Sequence, residues 1–409
     1  MRYVCVFVVA LAAALPAATH GMNWSDSGQC FHFAGRILRG DFPYRDFSYQ
    51  SGFLGLFLHA AAMKVFGMQA LVAVMVRLVA AALGVVAMAA LFERSGSRFA
   101  ATTVGLGAGI LLPAVFPELL YSGGNEVWAI LFGLAGGALL AAAAKAAEEG
   151  RSPGRPALLA GLLVSLVLGA RQGEGIVLAG VIAGVAALLL VGGGLRPRAR
   201  FAATLTAGVA VGWGLLVAVL AAGSALEPGL KELLLSAAEK KDVAPARSVA
   251  YALLGGLPWC GERTVPLVVI PGLGALASFL AFAWPGRLPP GARVAGLLLM
   301  PALVLTGVLL FPFRSTHTLG VALLNHPTRI FLTLAAAWLC IVVLRRMSTP
   351  IPAGSLLIAI AVPLALVWGH GLSFAGVEDT PRYLLAVPCV ALACVDPRVS
   401  RPFRRATGF

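Results

Sequence analysis

Asp26 is the residue whose type and position point most directly to chemistry. It follows the first apolar run and precedes an amphipathic stretch, Gln29 to Arg39. Together with Gln29, Asp26 can form a capping box at the start of that helix. A carboxylate just outside a membrane span can also act as a general base. The spacing leaves both roles open, since one oxygen can cap while the other faces a substrate.

Two opposite charges, Arg171 and Glu174, lie in a short turn between the apolar runs 157–170 and 175–193. Charges that flank spans in this way are costly unless they pair or line a cavity. The turn therefore predicts either a ligand for a substrate phosphate or a structural ion pair that locks the turn.

Three further positions are candidates for substrate or phosphate binding. Arg382, followed by Tyr383, stands where the last apolar run begins and could hold a phosphate by two parallel bonds. The alternative for Arg382 is an anchor among the lipid headgroups. Lys64 adds a cation near the end of a short apolar stretch, Phe53 to Phe66.

Arg77 lies inside the apolar run 70–92, which is too deep for an ordinary surface charge. It is expected either to reach a cavity or to pair with an acidic loop residue such as Asp46. Asp46 is accordingly counted with the candidate binding residues.

The composition identifies the elements that must position these residues. Of 409 residues, 59% are hydrophobic and only 12% are charged, whereas soluble domains carry about 25% charged residues. Long apolar runs then predict an all-α polytopic membrane protein. No phosphate-binding glycine motif and no zinc-ligand spacing is present in the sequence.

About twelve transmembrane helices are predicted, forming a single transmembrane domain over residues 1–409. The predicted spans are 3–20, 70–92, 99–117, 126–147, 157–170, 175–193, 201–223, 264–284, 293–312, 329–345, 351–369 and 383–396. The first of these also resembles a secretory signal peptide, with Arg2 and Pro16-Ala17-Ala18, although an uncleaved anchor is favoured.

The net charge of +14 reflects topology rather than nucleic-acid binding. Seventeen of the 31 Lys and Arg residues fall in loops on the side of the termini, with only four of the 17 acids. By the positive-inside rule both termini are cytoplasmic, as expected for a multi-pass protein of the inner membrane. The long loops 21–68 and 225–263 are then extracytoplasmic.

These two loops carry most of the polar chemistry. The first is predicted to hold two interfacial helices, one over Gln29–Arg39 ending at Gly40 and one over Phe53–Phe66. The charges of loop 225–263 are those of a solvated helix face or of a mobile gate over the substrate. Cys30 and Cys260, one in each loop, could pair as a disulfide, and the sequence leaves this open.

A family resemblance is carried by four motifs in order along the chain. They are Asp26-x-Gly-Gln through Gly40-Asp-x-Pro-Tyr-Arg-Asp-Phe47, Arg77-Leu78, Arg171-Gln-Gly-Glu-Gly175 and Thr380-Pro-Arg-Tyr-Leu-Leu-Ala-Val-Pro388. Together they resemble the GT-C-fold glycosyltransferases, relatives of protein O-mannosyltransferases and of the transferase that adds aminoarabinose to lipid A. The first motif is similar to the first extracytoplasmic loop of that family.

The resemblance implies transfer of a sugar from a polyprenyl-phosphate donor, with Asp26 as the general base and outer-face Arg and Lys residues stabilising the phosphate. Many relatives have an Asp-Glu pair where this chain has Asp26-Ser27, which removes the nearest second carboxylate for a divalent metal. No cofactor and no obligatory metal are therefore expected. Because neither long loop can hold a separate domain, the expected acceptor is a lipid-linked glycan or another small molecule within the membrane.

Two other classes of protein fit a similar number of spans. A multi-span transporter or lipid flippase would place charges and helix breaks near the membrane midplane, in two related halves. No internal repeat is evident here, and the charges gather at one face. A polysaccharide polymerase or ligase would be expected to carry its longest outer loop late in the chain, whereas here the longest comes first.

Overall fold

The computed structural model describes residues 1–15, 26–49, 52–95, 105, 125–191 and 195–234, with isolated positions between 273 and 366. Within the continuous ranges every regular element is an α-helix. The helices are α1 Arg2–Ala14, α2 Asp26–Leu38, α3 Leu54–Phe66, α4 Ala70–Ser95, α5 Asn125–Glu148, α6 Gly154–Ala170, α7 Gln172–Val191, α8 Leu195–Ala222 and α9 Leu226–Leu234. The all-α prediction is confirmed for this part of the chain.

Three of these helices are long and apolar enough to cross a membrane. They cover Ala70–Arg94, Asn125–Ala147 and Ala199–Ala222, in agreement with the predicted spans 70–92, 126–147 and 201–223. Shorter apolar helices cover Arg2–Ala14, Leu54–Phe66, Gly154–Ala170 and Gln172–Gly184. The predicted span 99–117 and those from 264 onward fall largely outside the described residues, so the count of twelve stays a prediction.

Contacts between residues fix the relative directions of the helices. Arg171 at the end of α6 meets Glu126 at the start of α5, so these two helices are antiparallel. Gly161 and Gly169 of α6 contact Leu205 and Leu216 of α8 in the same order, so α6 and α8 are parallel. The ends of α6 and α8 and the start of α5 therefore lie at one end of the bundle.

The other end of the bundle is marked by the first and fourth helices. The Arg2 guanidinium of α1 lies 2.5 Å from the Glu93 carboxylate of α4, and the Tyr3 hydroxyl donates to the same carboxylate. This contact joins the start of α1 to the end of α4, so these two helices are also antiparallel.

Glycines let α6 and α8 approach with their backbones in contact. A Cβ atom on Gly161 would stand 2.3 Å from the Leu205 carbonyl oxygen, and one on Gly208 would stand 2.1 Å from the Leu158 carbonyl oxygen. Small residues permit this approach between helices in membranes, where close packing replaces the hydrophobic driving force.

Gly208→Ala is expected to destabilise the chain by about 1–3 kcal/mol, because the added methyl group must push two backbones apart. Gly214→Ala in the same helix is the matched control, since a Cβ atom there meets nothing within 4 Å. Equilibrium unfolding of both variants in mixed micelles measures the difference. Equal effects at the two positions would contradict the close backbone contact.

The chain divides into two compact units, residues 1–243 with 353–369, and residues 244–352 with 370–409. In the first unit Val362 and Leu366 pack against Gly137 and Gly133 of α5. In the second, the Ser278 hydroxyl donates to the Gly296 carbonyl oxygen at 2.7 Å. All of the site geometry below belongs to the first unit.

Candidate functional site

The helix predicted in the first loop is present and begins at Asp26 rather than at Gln29. Gly40 follows its end with φ +99°, a conformation that favours glycine. The Asp41 N–H donates to the Arg36 carbonyl oxygen at 3.1 Å and closes the helix end, as in a Schellman motif. The predicted C-terminal cap at Gly40 is therefore confirmed.

Asp46 organises the turn between α2 and α3. Its carboxylate accepts a hydrogen bond from the Phe42 N–H at 2.6 Å and forms an ion pair with Arg45 at 2.6 Å. The bonds from Arg45 and from the Phe42 backbone hold the pKa of Asp46 below its ordinary value. Asp46 therefore pairs with Arg45, and the predicted alternative in which it pairs with Arg77 is not observed.

The same turn docks onto the junction of α8 and α9. Arg45 donates to the Gly223 carbonyl oxygen at 3.0 Å, and the Phe42 ring lies where a Cβ atom on Gly223 would be. Tyr44 is buried in this contact with φ +68°, a strained conformation for a bulky residue that the surrounding structure must hold. The docking fixes the first loop over the bundle end.

Beneath the first loop lies a group of buried charges, named here the buried ion cluster: Glu126, Arg171, Glu174 and Arg77. The Arg171 guanidinium pairs with the Glu126 carboxylate and with the Glu174 carboxylate at 3.2 Å. The Arg171 side chain is 11% exposed and that of Glu174 is 2% exposed. The ion pair predicted as one alternative for Arg171 and Glu174 is present, with Glu126 as an additional member.

Arg77 is the second guanidinium group near this cluster. It is fully buried two turns into α4, where its Nε donates to the Ala73 carbonyl oxygen at 3.2 Å, and Glu126 is an acidic group close enough to act on its charge. Buried ions of this kind require opposite charges or hydrogen bonds in a low-dielectric interior.

A neutral hydrogen-bonded group links the cluster to the first loop. Asn125, which precedes Glu126, donates through its side-chain amide to the Tyr49 hydroxyl at 2.6 Å. Tyr49 also lies 3.9 Å from the Cys30 sulfur, and Cys30 is buried on α2. The start of α5 is thereby tied to α2 and to the segment between α2 and α3.

Asp26 is the first residue of α2 and precedes Cys30 by one helical turn. Since residues four apart are neighbours along a helix, its position lies one turn beyond the contact between Cys30 and Tyr49. The structure does not describe its carboxylate, so capping and catalysis both stay open.

Among the remaining predicted site residues, Lys64 lies outside the cluster. Lys64 is exposed in the last turn of α3, beside Val65 and Phe66, which are 73% and 72% exposed. Arg382 and Tyr383 lie outside the described residues. Within the ranges that the structure describes, no group of three or more His, Cys, Asp or Glu residues could hold a metal ion.

Asn125, Tyr49 and Glu126 were not identified from the sequence as site residues. The sequence contained a signal for Asn125 and Glu126. Asn125 and Glu126 open an apolar helix directly after Gly123-Gly124, which resembles the placement of Arg171 before α7. Polar residues at the mouth of a span are costly without partners, so they could have been assigned to a buried network.

Comparisons of the sequence with protein-family profiles and with curated proteins give no match. Solved structures do match. The archaeal oligosaccharyltransferase AglB from Archaeoglobus fulgidus, a GT-C-type glycosyltransferase, aligns with all of this chain at TM-score 0.50 and 16% identity. That structure is a complex with an inhibitory peptide and a dolichol-phosphate. The fold of the chain is similar to that of an oligosaccharyltransferase.

Two other structures of an Archaeoglobus fulgidus oligosaccharyltransferase also match. The apo form aligns with 91% of this chain and 56% of its own, at TM-score 0.45 and 14% identity. A complex with Zn and sulfate covers all of this chain and 53% of its own, at TM-score 0.42 and 15% identity. The chain thus spans about half the length of the oligosaccharyltransferase, 52% in the first comparison.

Proposed function

We propose that the chain is a membrane glycosyltransferase that moves a sugar from a polyprenyl-phosphate carrier to an acceptor on the extracytoplasmic side of the inner membrane. The observation that carries this proposal is the likeness in fold to the oligosaccharyltransferase over the whole chain. That protein was solved with a dolichol-phosphate, which belongs to the polyprenyl class of lipid phosphates. The motifs at Asp26, Arg171 and Arg382 support the same class of reaction.

In the proposed reaction Asp26 accepts the proton of an acceptor hydroxyl while that oxygen attacks the anomeric carbon of the sugar. The bond between the anomeric carbon and the phosphate oxygen breaks, and its electron pair leaves with the lipid phosphate. Asp26 suits this role because it begins α2, the helix whose Cys30 contacts Tyr49. Tyr49 is in turn bonded to Asn125, beside Glu126 of the cluster.

The departing phosphate requires positive charge. We assign this role to Arg382 and Lys64, with Tyr383 as a neighbouring donor. Arg171 is a weaker candidate, because two carboxylates already hold its guanidinium.

The proposed acceptor is a lipid-linked glycan or another small molecule, held between the first loop and the helices. Both termini are cytoplasmic in this proposal, and loops 21–68 and 225–263 face the site. No metal and no cofactor are required, since one lipid phosphate can leave with the help of guanidinium and ammonium groups alone.

The test uses the full chain in lipid nanodiscs, supplied with a panel of polyprenyl-phosphate sugars and a membrane glycolipid extract. Consumption of one donor with labelling of an extract lipid is the expected result. The competing transporter or flippase would instead move a labelled donor across a proteoliposome membrane and leave it intact. Movement without consumption would overturn the proposed transfer.

A further inference from the structure

His59 has a buried nitrogen atom with a defined hydrogen-bonding character. The residue is fully buried on α3, and its Nδ1 lies 2.7 Å from the Gly55 carbonyl oxygen. A carbonyl oxygen only accepts hydrogen bonds, so Nδ1 carries the proton. Burial first, and the nearby Arg77 guanidinium second, lower the pKa of His59 and disfavour a cationic ring, which leaves Nε2 as an acceptor.

A buried donor of complementary character lies on a neighbouring ring. The Nε2 of His59 and the indole Nε1 of Trp128 are both buried without a hydrogen-bond partner among the described residues. The two rings meet edge to face with centroids 6.3 Å apart. Trp128 Cδ1, the atom beside Nε1, lies 3.1 Å from where a Cβ atom on Gly55 would stand, so the N–H edge is turned toward α3.

Buried polar atoms without partners are rare and destabilising. One acceptor and one donor on adjacent rings match a hydroxyl group, which can accept one hydrogen bond and donate another. A carbonyl group would satisfy only Trp128, and an ammonium group would satisfy only His59. The pair therefore selects a hydroxyl over either of the other groups.

We propose that His59 of α3 and Trp128 of α5 form a binding site for a single hydroxyl group, from a water molecule or from a sugar. The hydroxyl accepts a hydrogen bond from Trp128 Nε1 and donates its own proton to His59 Nε2. It bridges the first loop to the start of α5 beside Arg77. The site does not depend on the proposed transferase activity.

The test follows the indole N–H signal of Trp128 by NMR, in the full chain carrying ¹⁵N-labelled tryptophan in nanodiscs. The signal is assigned among those of the seven tryptophans by its loss in Trp128→Phe, or in Trp128→Tyr should the first variant not fold. The expected result is a cross-peak between this proton and water in the wild type. Occupation by a sugar would give a cross-peak to the sugar only after a polyprenyl-phosphate hexose is added.

His59→Phe decides whether the two residues share the bound group, since it keeps the ring contact and removes the acceptor. The cross-peak of Trp128 is expected to be lost in this variant, while the signal of Trp213, half-buried on α8, stays unchanged. A wild type without a cross-peak to water or sugar would overturn the site, and so would a cross-peak that persists in His59→Phe. Loss of the cross-peak with the Trp213 signal intact supports it, with water or the sugar identified as the occupant.

Discussion

Replacing Asp26 by Asn is expected to lower the rate of sugar transfer by about 10²- to 10⁴-fold, the usual contribution of a general base. The substitution separates the two roles that the sequence leaves open for this residue. Asn caps a helix about as well as Asp does, so the stability of α2 should not change. The carboxamide cannot take a proton from the acceptor, so catalysis should fail. Consumption of a polyprenyl-phosphate sugar in nanodiscs measures the effect.

Glu227→Gln is the matched control, because Glu227 is an exposed acid at the start of α9, and its loss should leave transfer unchanged. Asp26→Ala adds a second comparison, since it removes both the cap and the base and should also cost about 1 kcal/mol of stability. Full activity of Asp26→Asn together with destabilised Asp26→Ala would assign the residue to capping alone. The base would then have to be sought elsewhere on the first loop.

Helix bounds, helix caps and ion pairs within one helix or turn were predictable from the sequence. The helix of the first loop and its end at Gly40 follow from local periodicity and from the conformational freedom of glycine. The pairing of Arg171 with Glu174 follows from their spacing of three residues. The bounds of α4 and α5 follow from the lengths of apolar runs.

Side-chain contacts between different helices were not predictable in the same way. Glu126 stands 45 residues before Arg171, and only the antiparallel packing of α5 and α6 brings their side chains together. Asp46 was expected as one alternative partner for Arg77, but its carboxylate is held within its own turn by Arg45 and Phe42. A turn closes with little loss of entropy, so local partners are favoured over distant ones.

The fold likeness and the buried ion cluster bear on different parts of the proposal. The likeness to the oligosaccharyltransferase concerns the arrangement of the helices, whereas the cluster concerns how the mouth of the bundle is held rigid. A rigid mouth is useful to a transferase because the base must be held close to its productive geometry. The cluster is therefore expected to support Asp26 without touching the substrate.

Replacing Arg171 by Met is expected to destabilise the chain by about 3–5 kcal/mol, because it leaves two buried carboxylates with one guanidinium partner fewer. Glu174 is 2% exposed and cannot be rescued by water. The exposed pair of Arg151 and Glu149 provides the control, since ion pairs at the surface contribute little. Equilibrium unfolding of Arg171→Met and Arg151→Met in mixed micelles measures the difference. Similar losses in both would contradict a buried ion cluster.

A double variant then decides between the two roles of Arg171. Combining Arg171→Met with Glu174→Gln removes one cation together with one carboxylate that it binds and leaves Glu126 in place beside Arg77, so most of the lost stability should return. If Arg171 is only structural, this folded variant also recovers sugar transfer. If Arg171 holds the phosphate of the donor, the variant folds but remains inactive, because the guanidinium that stabilises the departing charge is missing. Recovery of both properties is the expected result, since the guanidinium already binds two carboxylates in the structure.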